Sequence, residues 1–185
     1  RLIAPVTSIG DLQPVLAGAG DAADGMPVLV SFVVDDKGDL LGDGLNIEAA
    51  VLYAEKHGAN SVGVNCCSLA AANAAVPRMV ASATTPVTVR PNVGDPVQTQ
   101  DGPVWHENPE AFARACIEWR HAGAAMVGSH YGSDGRGARY IKGKTAPSGA
   151  VFFIACMSSA AFAQMVNAGA GRLPSACCGY TSRVP

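Results

Sequence analysis

The sequence predicts an α/β protein built on a parallel sheet. Three observations predict it. Short apolar, β-branched runs recur through residues 1–130, helical patterns separate them, and the residues able to do chemistry fall just after the apolar runs. Strands joined in sequence through helices run parallel, because an antiparallel neighbour needs only a hairpin. About five β/α units are expected. Whether their sheet is open or part of a barrel is left undecided by pattern alone. In either case the carboxyl edge of the strands is where the chemistry belongs.

The elements follow in order. Residues 2–7 form a short apolar run that ends in turn signals, and residues 10–19 read as helix. Residues 27–34, PVLVSFVV, make a strand too apolar to be half exposed. Residues 35–44 are a polar loop rich in Gly and Asp. Asn46 then caps a helix with Glu48 in its first turn; Ile47, Ala50, Val51 and Ala54 form its apolar face, and His57-Gly58 closes it. Residues 61–64 are a short buried strand leading into Asn65-Cys66-Cys67. Residues 68–80 read as helix, with Pro77 as a candidate break point. Residues 86–90, PVTVR, are the next strand and run into Pro91-Asn92-Val93-Gly94. Residues 98–108 read as a loop. Asn108-Pro109-Glu110 is a strong helix start, with Phe112, Ala115, Cys116 and Trp119 as the buried stripe and His121-Ala122-Gly123 as the end. Residues 124–127 are the last strand, followed by Gly128-Ser129-His130-Tyr131-Gly132-Ser133.

Composition narrows the classes. The chain has 185 residues, 49% apolar and 15% charged, which excludes a disordered chain and allows one domain with a substantial core. The net charge of −2 gives no general pull toward nucleic acid or acidic membranes. The charge is uneven: residues 1–118 hold 14 acids and 6 bases, whereas residues 119–185 hold 1 acid and 7 bases. This separates residues 1–143, the β/α part, from residues 144–185, an atypical apolar tail. Residues 145–171 carry no charge. That stretch is long enough to span a membrane, but Ser, Gln, Asn and Gly dilute it, so a packed helix or a loosely ordered tail is expected and no membrane partner. Residues 1–25 lack the apolar run of a signal peptide. The six cysteines include two adjacent pairs, Cys66-Cys67 and Cys177-Cys178, and do not make a disulfide framework. Thiols or metal ligands in a reducing, cytoplasmic setting are expected.

Two strand ends carry the sharpest signals. Gly63-Val64-Asn65-Cys66 puts a thiol beside an amide, where it can serve as ligand, nucleophile or simply a small apolar residue. Arg90-Pro91-Asn92-Val93-Gly94 is a tight turn that places Asn92 at a pocket or merely shapes the turn. A Gly-rich run with four bases, residues 132–144, suits a phosphorylated ligand or is a solvated loop.

Together these residues resemble the homocysteine S-methyltransferase family, over residues 1–143. The family shows a strand ending in G-x-N-C, a strand ending in P-N-A-G, a helix, and a strand ending in G-G-C-C-G-T. Here these read Gly63-Val64-Asn65-Cys66, Pro91-Asn92-Val93-Gly94, the helix begun by Pro109-Glu110-Ala111-Phe112, and Gly128–Ser133 in place of the paired cysteines. The resemblance implies a partial (β/α)8 barrel of the TIM type, lacking its first three strands. It implies methyl transfer to a zinc-activated thiol in methionine synthesis. It places Cys66 and His130 as zinc ligands, and Asn65, Asn92 and Thr7 at a small thiol substrate. Three departures stand out. His130 and Tyr131 occupy the place of the paired cysteines, and Val6-Thr7 the place of the family's Glu-Thr. Only part of the barrel is present, so an N-terminal half or self-association through open sheet edges is expected to complete it. Cys67 and the Cys177-Cys178-Gly179 element are further thiols in view. The methyl donor is not selected by this segment: betaine, S-methylmethionine and methylfolate through cobalamin all serve within the family. The alternatives are a non-catalytic relative without zinc, and a barrel enzyme that binds phosphate at residues 132–144.

Overall fold

A computed structural model describes residues 2–22, 25–92, 94, 96–100, 102–105 and 108–128. His130, Tyr131, the basic run 132–144 and the tail with Cys177 and Cys178 lie outside the described residues. The elements are β1 (Leu2–Val6), α1 (Ile9–Ala22), β2 (Leu29–Phe32), α2 (Ile47–Lys56), β3 (Ser61–Asn65), α3 (Leu69–Ser82), β4 (Val87–Arg90), β5 (Pro96–Thr99), β6 (Gly102–Trp105), α4 (Pro109–Ala122) and β7 (Met126–Val127).

Five strands form one parallel sheet in the order β1-β2-β3-β4-β7. The order follows the chain without reversal. Right-handed crossovers made in one direction put every helix on the same face, and α1, α2, α3 and α4 pack each on the next. A doubly wound sheet would reverse at a switch point and carry helices on both faces. The fold is therefore α/β, an arc of a β/α barrel.

Side chains alternate across that arc. Val30 and Phe32 of β2, Val62 and Val64 of β3, Val87 and Val89 of β4 and Val127 of β7 belong to the core formed with the helices. Each such side chain contributes about 1.5–3 kcal/mol when buried. The helices answer with Ile47, Ala50, Val51 and Ala54 from α2, Ala72, Val76 and Met79 from α3, and Phe112, Cys116 and Trp119 from α4. The opposite, inward face presents Ser31, Ser61, Gly63, Asn65, Thr88 and Arg90, by strict alternation. Polar residues on the concave side and a dry layer under the helices are what a barrel that binds something polar requires.

Two helix caps, Asn46 and Asn108, are those the sequence indicates, and Ser68 is a third. Asn46, Ser68 and Asn108 each accept a hydrogen bond from the backbone N–H three residues on, at 2.8, 3.0 and 3.0 Å. Gly123, with φ 113°, ends α4. Two expectations are corrected. Residues 98–108 are not simply a loop: β5 and β6 pair antiparallel, Thr99 opposite Gly102 and Pro96 opposite Trp105. The prolines that argue against a strand are tolerated because a two-stranded ribbon has outward N–H positions on both strands. The helix does not break at Pro77 either. α3 runs through it, one backbone bond short, because Ala75, Val76 and Met79 are buried beneath it and Asn73 Oδ1 accepts from Trp119 Nε1 of α4 at 2.8 Å.

Candidate functional site

β3 ends by turning sharply. Cys66 has φ 54°, a left-handed conformation that an L-residue with a Cβ adopts only under constraint, and such residues gather at functional sites. The turn separates two neighbouring thiols. Cys67 is 4% exposed, belongs to the apolar core, and burial pushes its thiol up to about 12. Cys66 stays half-buried at the carboxyl edge and accepts a hydrogen bond from Asn65 Nδ2 at 3.0 Å. Burial raises the Cys66 thiol above its ordinary value, while the Asn65 amide and the Arg90 charge act in the opposite direction. The Cys66 sulfur thus sits in a partly dry place beside a hydrogen-bond donor and a fixed positive charge.

β4 brings up the second motif in register. Asn65 stands opposite Arg90 on the inward face. The Asn92 N–H donates to the Cys67 carbonyl at 2.9 Å, which ties the two strand ends together. Asn92 Oδ1 is buried and has no hydrogen-bond partner, and the same holds for Asn65 Oδ1, Ser31 Oγ and Thr88 Oγ1. Thr7 follows β1 at the same edge, two strands from β3; its hydroxyl lies 3.4 Å from Asp11 Oδ2 and its carbonyl accepts from the Gly42 N–H at 2.8 Å. Thr7 therefore shares the rim with Cys66 but turns its hydroxyl toward α1.

The rim is braced by the loop after β2. Asp35 Oδ1 accepts from the N–H groups of Lys37 and Asp39 at 2.9 and 3.0 Å, which closes the loop on itself. These backbone bonds, that of Asp39 foremost, hold the Asp35 carboxyl below its usual range. Gly38 lies against α3 so closely that a Cβ would fall 2.8 Å from the Ala75 nitrogen. Arg78 of α3 then clamps the loop. It donates to both Glu48 oxygens at 2.7 Å, to Asp39 at 2.9 Å and to the Lys37 carbonyl at 3.0 Å. A cleft of about 390 Å³ opens between this loop and the start of α3, lined by Asp36, Ser68, Leu69, Ala70 and Gly94. Ser68 donates to Asp36 at 3.1 Å across its floor.

Of the residues picked out by sequence, the structure brings Asn65, Cys66 and Asn92 together and sets Thr7 further along the rim. His130 lies outside the described residues. No group of three or more His, Cys, Asp or Glu able to hold a metal occurs among the described residues. Cys66 is the zinc-type ligand they offer at the carboxyl edge, since Cys67 is turned into the core; the described residues do not complete a zinc site. Sequence reading passed over Ser31, Thr88 and Arg90. The signal was present: Ser31 in PVLVSFVV and Thr88 in PVTVR are polar residues on alternate positions of otherwise apolar runs.

A protein-family model described as homocysteine S-methyltransferase matches residues 6–134, more than half of the chain. No curated protein matches it.

Proposed function

Because the chain belongs to the homocysteine S-methyltransferase family, we propose that it binds a small thiol of the homocysteine type at the carboxyl edge of β3 and β4 and serves its S-methylation, giving methionine. The observation that carries this reading is the Cys66–Asn65 pair, held against the Asn92 turn by the Asn92–Cys67 backbone bond. A thiol in water has a pKa of ~8.5, and only its thiolate attacks. A site for this chemistry must favour negative sulfur and admit little water. At Cys66 burial supplies the second condition and raises the thiol above its ordinary value, while the Asn65 amide and the Arg90 charge work against that rise and toward the first. In the transfer, the substrate thiol gives up its proton to solvent, and the thiolate sulfur then forms the new S–C bond to the methyl group. The bond from methyl to donor breaks, and its electron pair leaves with the donor.

Zinc belongs to this proposal through Cys66 and His130 as two of its ligands. When bound, it would lower the pKa of the coordinated thiol. Cytoplasmic residence is part of the same reading, supported by the buried thiols Cys67 and Cys116, which are in no disulfide. Among the described residues no helix is long and apolar enough to cross a membrane. The test is elemental analysis of the purified chain, followed by calorimetric titration with L-homocysteine. About one zinc per chain that is lost in Cys66→Ser, together with homocysteine binding lost in the same variant, is the expected result. Zinc near zero and no homocysteine binding would remove the proposal. That outcome would favour a non-catalytic relative, the reading that Val6 and Tyr131 support by standing where the family has a carboxylate and a thiol.

A further inference from the structure

An Asn amide has two ends of nearly the same shape, one donating and one accepting, and the hydrogen bonds made at each end decide which way it faces. Asn65 turns its nitrogen to Cys66 Sγ at 3.0 Å. Its oxygen is buried without a hydrogen-bond partner, as are Ser31 Oγ and Thr88 Oγ1 on the same face. The three residues are 2%, 0% and 2% exposed. Ser31, Gly63 and Thr88 stand opposite one another across β2, β3 and β4, and Asn65 is the next inward residue of β3. A Cβ on Gly63 would fall on the Thr88 hydroxyl, so that hydroxyl stands where a side chain of β3 would. It therefore neighbours Asn65 along the strand, about 6.6 Å away at the backbone. The two side-chain oxygens do not bond each other. A polar gap of this kind is one that a single water spans.

The surroundings select what fits. Arg90 stands opposite Asn65 in register on the same face, which disfavours a cation there. The Asn65 oxygen is an acceptor only, which disfavours an anion. The group that completes the three oxygens is therefore small and neutral, and it both donates and accepts. Buried waters meet that description and typically make about three hydrogen bonds to otherwise unsatisfied groups. We infer that Thr88 and Ser31 are positioning residues, which hold an ordered water that donates to Asn65 Oδ1 and so keeps the Asn65 nitrogen on the Cys66 sulfur. The bonds balance: the Thr88 hydroxyl donates to the water, and the water donates to Asn65 Oδ1 and to Ser31 Oγ. Without that water nothing among these groups holds the amide oxygen away from the sulfur, and an oxygen turned to Cys66 would repel a thiolate. The inference rests on the Cys66–Asn65 pair of the reading above and extends it two strands outward, to side chains that do not touch the sulfur.

The test is the rate at which iodoacetamide alkylates Cys66 in the metal-free chain at pH 8, read by fragment mass spectrometry of the peptide that holds Cys66 and Cys67. It uses neither homocysteine nor zinc, so its failure and the failure of the thiol reading are separate events. Thr88→Val, which replaces the hydroxyl by a methyl of the same shape, is expected to slow Cys66 about fivefold, the weight of one hydrogen bond. Thr88→Ser restores the hydroxyl and is expected to stay within twofold of wild type. In an Asn65→Ala background the Thr88→Val change is expected to alter the rate less than twofold, because Thr88 acts only through the amide. Ser31→Ala approaches the same water from β2 and is expected to slow Cys66 about threefold, again only while Asn65 is present. It decides the matter should Thr88→Val fail to fold. No slowing in either variant, slowing of the same size without Asn65, or no rescue by Thr88→Ser overturns the inference. So does a crystal structure in which the Ser31 and Thr88 hydroxyls bond backbone carbonyls and no water lies beside Asn65 Oδ1.

Discussion

Gly63 shows how much one missing side chain decides. Its neighbour across the ladder is Thr88, whose hydroxyl fills the space a Cβ would take and whose backbone carbonyl would lie 2.4 Å from it. A hydroxyl can rotate away, but a strand carbonyl in the middle of a parallel sheet cannot. Gly63→Ala is therefore expected to cost more than about 3 kcal/mol and to lower the unfolding temperature by more than about 6 °C. Gly63→Ala combined with Thr88→Ala should recover little of it, because the backbone contact remains. Differential scanning calorimetry of both variants reads this out, and full recovery in the double variant would show that the hydroxyl alone sets the constraint. At this scale the sequence was partly legible. Cys66, Asn65 and Asn92 stand out in the sequence by their motifs, and the structure sets them at adjoining strand ends. Gly63 was read as part of a motif and not as a packing requirement, because the reason lies on β4, 25 residues later. Ser31 and Thr88 were hidden by their apolar neighbours.

Among the elements, helices were easier to read than strands for a physical reason. A helix carries its own start and stop signals: Asn46 and Asn108 cap as their positions imply, and Ser68, which the sequence reading puts inside its helix, caps it one residue earlier. A hairpin depends on pairing that prolines disguise, so β5 and β6 were missed although Asp101-Gly102 is a turn dipeptide. The Arg78 clamp was not legible either, since it joins α3 to Glu48 of α2 and to Asp39 of the loop after β2. Its weight can be measured. The hydrogen-bonded Arg78 guanidinium holds the Glu48 carboxyl below its ordinary value of 4.5. Glu55 is also held low: burial alone would raise it, but bonds from the hydroxyls and N–H groups of Thr84 and Thr85 outweigh that. A carboxylate whose pKa is depressed by folding stabilises the protein above about pH 4.5, and that stabilisation is lost as the pH falls through the lowered folded value. Arg78→Met should cost about 1 kcal/mol at pH 7, a modest figure because the pair is about one-third exposed and screened by solvent. Its unfolding temperature should then fall less steeply than that of wild type between pH 5 and 3, with Glu55 left to supply the remaining slope. Parallel curves for the two proteins would mean that Arg78 contributes by packing and not by charge.

The whole molecule divides into a rigid floor and a looser rim, and this division suits a binding site. β3 is paired on both sides, by β2 and β4, and its outward residues Val62 and Val64 are fully buried. The residues that line the inward face stand on β2, β3 and β4, the three strands of the arc that have a neighbour on each side. The β5–β6 hairpin begins four residues after Asn92 and, among the described strands, pairs only with itself. A two-stranded ribbon is marginally stable alone, and local opening spans from near zero up to the global free energy of unfolding. Amide exchange should reflect the difference. The N–H groups of Val62, Val64 and Val89 are expected to exchange through global unfolding, and those of Val97 and Val104 about a thousandfold faster or more. Addition of the thiol ligand should slow the hairpin if it closes over the site and leave it unchanged if it does not, while β3 stays slow in either case. Exchange from Val97 as slow as from Val64, without ligand, would refute the division, because the hairpin would then have to be packed as firmly as the sheet it borders.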